Sequence, residues 1–167
     1  MKITILDKSK KKKFIAGVEQ LGVKKIRELL VRSGKERIRA YSGNLSNEEI
    51  MALWSILPIE GVGLYVGKDM VNRSGVREVR LSIDGLHTWQ DQISGNILKL
   101  TPEQEIEWFK GKGIELDDGQ IGLGLKGFVA VQSSEDDDLI GTGKVSADGK
   151  NVVGFLPKER RSKSDSL

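Results

Sequence analysis

The 167-residue chain has no cysteine and a single histidine, His87. The first absence excludes disulfides, thiolate zinc sites and cysteine nucleophiles, and it fits a reducing cytoplasm. The second argues against a zinc centre, because such sites draw most of their ligands from Cys and His. No metal is expected. No apolar run approaches the roughly 20 residues of a membrane span. The apolar stretch in Met1–Leu6 is too short, before Asp7, to read as a signal peptide. The expectation is a cytoplasmic protein with no membrane partner. What is present is 38% hydrophobic and 31% charged residues, the balance of a globular protein. The length fits one large domain or two small ones.

Net charge is only +3, but it is unevenly spread. Residues 1–45 hold 13 Lys or Arg against 4 Asp or Glu, whereas residues 101–140 hold 3 against 10. Residues 46–100 are nearly balanced and residues 141–167 are basic again, at 6 against 3. A polyanion would meet the two basic ends if they share a face. A solvated helix start explains Lys10–Lys13 equally well. The acidic run Glu135–Asp138 reads as an exposed loop pointing away from such a partner.

The periodicity suggests two units, about 1–70 and 76–157. Lys10–Leu21 predicts an amphipathic helix with Phe14, Val18 and Leu21 on one face and Gly22 as its stop. Val23–Leu30 is ambiguous, Ser33–Lys35 turns, and Glu36–Tyr41 alternates as a half-buried strand. Ser46 and Glu49 form a capping box for a helix over 47–57, with Ile50, Leu53, Trp54 and Leu57 as its stripe and Pro58 as its end. Gly61–Gly67 reads as a buried strand. In the second unit, Val76–Ile83 predicts a strand, Asp84–Gly85 a turn, and Leu86–Ile93 two helical turns. Ile97–Leu100 predicts a short strand. Thr101-Pro102 starts a helix that ends near Phe109. Ile121–Gln132, Leu139–Val145 and Asn151–Leu156 supply three more strands, the last two joined by a turn at Asp148–Gly149.

No catalytic constellation emerges. Gly122-Leu123-Gly124 lacks the third glycine of a dinucleotide loop. Gly141-Thr142-Gly143-Lys144 lacks both the upstream glycine of a phosphate loop and the Ser or Thr after the lysine. Both read as strand glycines. His87 has Asp84 and Asp91 nearby in sequence only, and Glu103, Glu105 and Glu107 read as solvent-facing. The expectation is a non-catalytic protein that needs no cofactor.

The segments Asn96–Leu100, Trp108–Gly111, Gly127–Val131, Gly141–Lys144 and Pro157–Arg161 look like successive pieces of a PUA-like domain, a small RNA-binding barrel. More narrowly, the chain resembles stand-alone archaeal proteins related to the RNA-binding tails of Sun/Fmu-type RNA cytosine-C5 methyltransferases. Arg39–Gly43 and Gly63–Gly67 resemble the domain that precedes PUA in such chains. The resemblance implies an α+β protein: a pre-PUA-like mixed α/β domain over 1–72, a PUA-like β pseudo-barrel over 73–161, and a disordered tail over 162–167. It implies structured RNA, rRNA or tRNA, as ligand, and an accessory role in RNA modification or ribosome biogenesis. It brings no methyltransferase active site; an RNA methyltransferase or a ribosomal protein would be a partner.

On that reading the phosphate contacts fall to Lys99, Lys110, Lys112, Lys144, Lys158, Arg160 and Arg161. Tyr41 and Trp89 are the candidates for stacking on a base, while Trp54, Trp108 and Phe128 sit at core-like positions. Two other readings stand beside it. One is a protein-interaction adaptor docking a basic partner through acidic segments 115–118 and 135–138. The other is a small enzyme using His87.

Overall fold

The computed structural model describes residues 2–57 and 61–162. The fold is α+β, with two five-stranded sheets, one of them curled into a half-barrel. The chain divides into an N-terminal unit ending at Gln92 and a C-terminal unit starting at Ile93. That division lies beyond the expected 72/73 boundary. The strand at Arg77–Leu81 pairs with the one at Leu64–Val71, so it belongs to the first sheet. Asn72 makes the hairpin between them, its side-chain oxygen accepting from the Ser74 and Val76 amides.

The N-terminal sheet runs β1 (Ile3–Ile5), β2 (Leu29–Ser33), β3 (Arg37–Tyr41), β4 (Leu64–Val71), β5 (Arg77–Leu81) in sequence order, and every pair is antiparallel. β1 was not expected, since three alternating residues carry little periodicity. Helix α1 (Lys8–Val18) is capped by the Asp7 carboxylate, which accepts from the Lys10 amide. A 3-10 turn over Glu19–Leu21 follows, and Gly22 stops it at φ +100°. The helix packs on β5, with Gly17 so close to Val79 that no Cβ would fit. Phe14 and Val18 are buried beneath it. On the other face, helix α2 (Asn47–Ile56) buries Ile50 against Ile3 and Val31. Its Ser46/Glu49 capping box forms as expected. The rest of its expected stripe does not: Leu53 and Leu57 are exposed and Trp54 is half-buried. Pro58 lies outside the described residues.

Asp84–Gly85 is not a turn but the interior of helix α3 (Ile83–Thr88), capped by Ser82. Gly85 is there for space. A Cβ would strike the Val66 carbonyl, so only glycine lets α3 approach β4.

The C-terminal sheet has the order β6 (Ile97–Lys99), β8 (Phe128–Gln132), β9 (Leu139–Val145), β10 (Asn151–Gly154), β7 (Ile114–Glu115). Only β6 and β8 run parallel. Helix α4 (Pro102–Phe109) joins β6 to β7, and helix α5 (Asp118–Gly122) joins β7 to β8. The strand expected from Ile121 therefore begins only at Phe128. Asp117 caps α5 through a capping box with Gln120. It is joined to the Thr101/Gln104 capping box of α4, because the Gln104 and Gln120 amides donate to each other at 2.8 Å. The core gathers Trp108, Leu98, Ile114, Val129, Val131 and Val152. Among the described residues no helix is long and apolar enough to cross a membrane. The tail expected over 162–167 is described only at Ser162.

Candidate nucleic-acid interface

Three of the expected phosphate contacts come together at the end of α4. Lys110 caps the helix, and Gly111 follows with φ +77°, the left-handed conformation that a side chain resists. After β10 the chain returns to this point. Its amide at Ser162 donates to the Phe109 carbonyl at 2.6 Å, and Arg161 Nε donates to the Leu156 carbonyl at 3.1 Å. Arg161 is thereby laid across the glycine, where a Cβ on Gly111 would stand 2.6 Å from its Nε. Lys158 and Arg160 are exposed on the 3-10 turn just before it. Lys110 and Lys112 reach opposite oxygens of Glu107, at 3.7 and 3.6 Å. Those side chains are all substantially exposed, so each pair contributes at most about 1 kcal/mol and yields readily to a phosphate. The corner therefore gathers exposed lysines and Arg160 beside a left-handed glycine that the Arg161 side chain covers.

Gly111→Ala is the local test of this arrangement. The added methyl group must both hold a left-handed φ and displace Arg161. It is expected to cost about 1 kcal/mol in stability, with a new environment for the Arg161 side chain in NMR spectra. An unmoved Arg161 resonance would show that the two do not touch.

The other expected contacts do not join this corner. Lys99 is a structural clamp: its ammonium donates to the Ser133 and Asp136 carbonyls at 3.0 and 2.9 Å, fixing the acidic loop. Lys144 lies half-buried in β9, its ammonium 5.3 Å from the centre of the Phe128 ring. Trp89 cannot stack on a base. It is 3% exposed, meets Phe14 edge-on, and its indole N–H donates to Glu28. Tyr41 is half-buried beside α2, and its hydroxyl accepts from the Leu45 amide. It lines a shallow cleft with Arg27, Leu29 and Asn47.

His87 is exposed on α3. Among the described residues no three His, Asp or Glu side chains converge as they would around a metal ion. Glu103 is exposed and Glu107 half-buried, but Glu105 departs from the solvent-facing expectation. Its carboxylate accepts from Ser133 Oγ at 2.6 Å and from Ser134, holding the 133–138 loop from the α4 side. The acidic run Glu135–Asp138 is exposed as expected, segment 115–118 is exposed apart from Leu116, and Asp117 and Asp136 accept from backbone amides within their own turns.

In the N-terminal unit the expected site residues are Tyr41 and Trp89 alone, and none of its arginines or lysines is among them. There the buried Asp69 accepts from Arg77 Nε at 2.7 Å and from Arg32 at 2.9 Å, and Arg77 closes a second bond to it. Strand register brings these three together across β2, β4 and β5, and spacing along the chain gives no hint of it. No protein-family model matches the chain, and no curated protein matches it.

Proposed function

We propose that the protein is a non-catalytic, RNA-binding factor for structured rRNA or tRNA, serving RNA modification or ribosome biogenesis in the cytoplasm. Its C-terminal unit is read as a PUA-like pseudo-barrel. The observation that carries this reading is the corner at Gly111, where Lys110, Lys112 and Arg161 adjoin and Lys158 and Arg160 stand exposed on the neighbouring turn. The strand–helix–strand–helix order followed by a three-stranded meander supports the pseudo-barrel. Phosphate contacts from such cations supply most of the affinity and make it salt-dependent. Shape and 2′-hydroxyls of a folded RNA supply the rest.

The test is a titration of structured RNA with full-length protein carrying Arg160→Ala and Arg161→Ala together. Affinity is expected to fall about tenfold, and the slope of log K against log salt to shrink by about 2, close to one per lost contact. Arg161→Ala alone also frees the Leu156 carbonyl, so Arg160→Ala alone is the cleaner charge test. Affinity and salt slope equal to those of the unaltered protein count against this placement of the site.

A further inference from the structure

The two units differ in charge in a way that bears on any anionic partner. Residues 1–92 hold 17 Lys or Arg against 11 Asp or Glu, while residues 93–167 hold 10 against 13. The corner at Gly111 is thus a local cluster on an acidic unit, and the long-range attraction for a polyanion comes from the N-terminal unit.

Within that unit the cations are ordered by strand register. Arg37 on β3 is directly opposite Lys68 on β4, and Lys68 is directly opposite Arg80 on β5. The row lies on the face turned away from α1, since Val79, which meets α1, alternates with Arg80. Like charges facing across strands destabilise a sheet. Neither Arg37 nor Lys68 has a carboxylate partner among the described residues; Arg37 sits instead 5.8 Å from the Tyr65 ring centre. A shallow concavity of about 510 Å³ adjoins the row at the β2–β3 turn, lined by Ser33, Lys35, Glu36, Arg37, Arg39 and Lys68. Ser33 is 3% exposed, yet its hydroxyl has no hydrogen-bond partner among the described residues. Four cations lining one concavity, Lys35, Arg37, Arg39 and Lys68, suit an oxyanion.

We propose that this face of β3–β5, with the concavity at Ser33, is a second phosphate-binding surface that holds successive phosphodiesters of a nucleic-acid strand. A strand fits better than a single anion because the three cations stand on three neighbouring strands, which spreads them over about 10 Å. The surface stands on its own observations and does not depend on the site in the C-terminal unit.

The experiment titrates full-length protein with oligouridylate, comparing the unaltered chain with Arg37→Gln plus Lys68→Gln. These changes remove repulsion as well as charge, so the thermal midpoint should hold or rise. Affinity should fall about tenfold and the salt slope by about 1.4, at ~0.7 per contact for a single strand. Unchanged affinity and slope overturn the proposal, as does a loss of affinity matched by a loss of thermal stability. Inorganic phosphate is titrated in parallel. If it binds at Ser33 while oligouridylate binding ignores the substitutions, the site takes a free anion and the strand is excluded. The Arg160→Ala/Arg161→Ala protein separates the two sites. If it alone loses affinity, this inference falls and the C-terminal site stands; if the glutamine protein alone loses it, the reverse holds.

Discussion

Replacing Trp108 by alanine is expected to destabilise the C-terminal unit by about 3–5 kcal/mol, the range for deleting a large buried aromatic side chain. Trp108 is 1% exposed at the centre of that core. Its indole fits because two sheet positions facing it are glycines: a Cβ on Gly141 or Gly154 would come within 2.7 or 2.6 Å of the ring. Removing the indole therefore leaves a slot walled by backbone on β9 and β10, and rigid walls collapse poorly into a cavity. The same slot predicts the reverse experiment. Gly154→Ala beside an intact Trp108 overpacks the site and also destabilises, by about 1–3 kcal/mol.

Trp108→Phe distinguishes volume from polarity. The indole N–H is buried without a hydrogen-bond partner among the described residues, a burden of about 1–3 kcal/mol. Phenylalanine removes that burden while giving up part of the packing, so its net cost should be well below that of alanine. Amide hydrogen exchange of β8 and β9 reads the change directly. Tryptophan fluorescence does not, because Trp54 and Trp89 both belong to the other unit. Equal protection in the alanine and unaltered proteins would contradict the central place given to this side chain. The outcome also bears on function, because the Gly111 amide donates to the Trp108 carbonyl at 2.9 Å, so the cation corner hangs from the same helix end.

The parts of this fold that can be read from the sequence are those decided within a few residues. Ser46 with Glu49, Thr101 with Gln104, and Gly22 announce helix ends because their hydrogen bonds close over three or four residues. The elements that escaped depend on distant partners. β1 and β7 are too short to show a period and exist because β2 and β10 receive them. Gly85 looks like a turn residue beside Asp84, yet its role is set by the Val66 carbonyl on another strand. The unit boundary moved because the pairing of β5 with β4 carries no local mark. The same division runs through the candidate sites. Arg160 and Arg161 are visible as a sequence-adjacent pair. The row Arg37–Lys68–Arg80 exists only through register, and a one-residue slip would dissolve it. Trp89 shows the limit most plainly. Nothing within its own segment tells a stacking platform from a core residue, and Phe14 and Glu28 decide the matter.

Asp69→Ala should destabilise the N-terminal sheet by about 2–3 kcal/mol. Asp69 is 5% exposed, and its carboxylate is the shared acceptor of Arg32 and Arg77. Removing one member of a fully buried ion pair costs about 3–5 kcal/mol, because the other charge is stranded. Here both guanidinium groups keep some solvent contact, which lowers the figure. The loss also travels. Arg32 donates its second amino group to the Lys35 carbonyl at 2.9 Å, so Asp69 steadies the β2–β3 turn that carries Lys35 and leads into Arg37. Acid should reproduce the effect. Burial pushes the Asp69 carboxyl up, but the hydrogen bonds and charges of Arg77 and Arg32 outweigh it and hold it below the ordinary carboxylate value. A group depressed in this way contributes fully above its unfolded pKa, near 3.9, and the contribution drains as pH falls through the lower folded value. The stability gap between the unaltered protein and Asp69→Asn should therefore stay constant down to about pH 4 and close only below it. A gap that instead widens as pH falls through about 5 to 6 would mean that desolvation wins over the two arginines. The three side chains would then impose a cost on the sheet, and the turn would owe its order to something else.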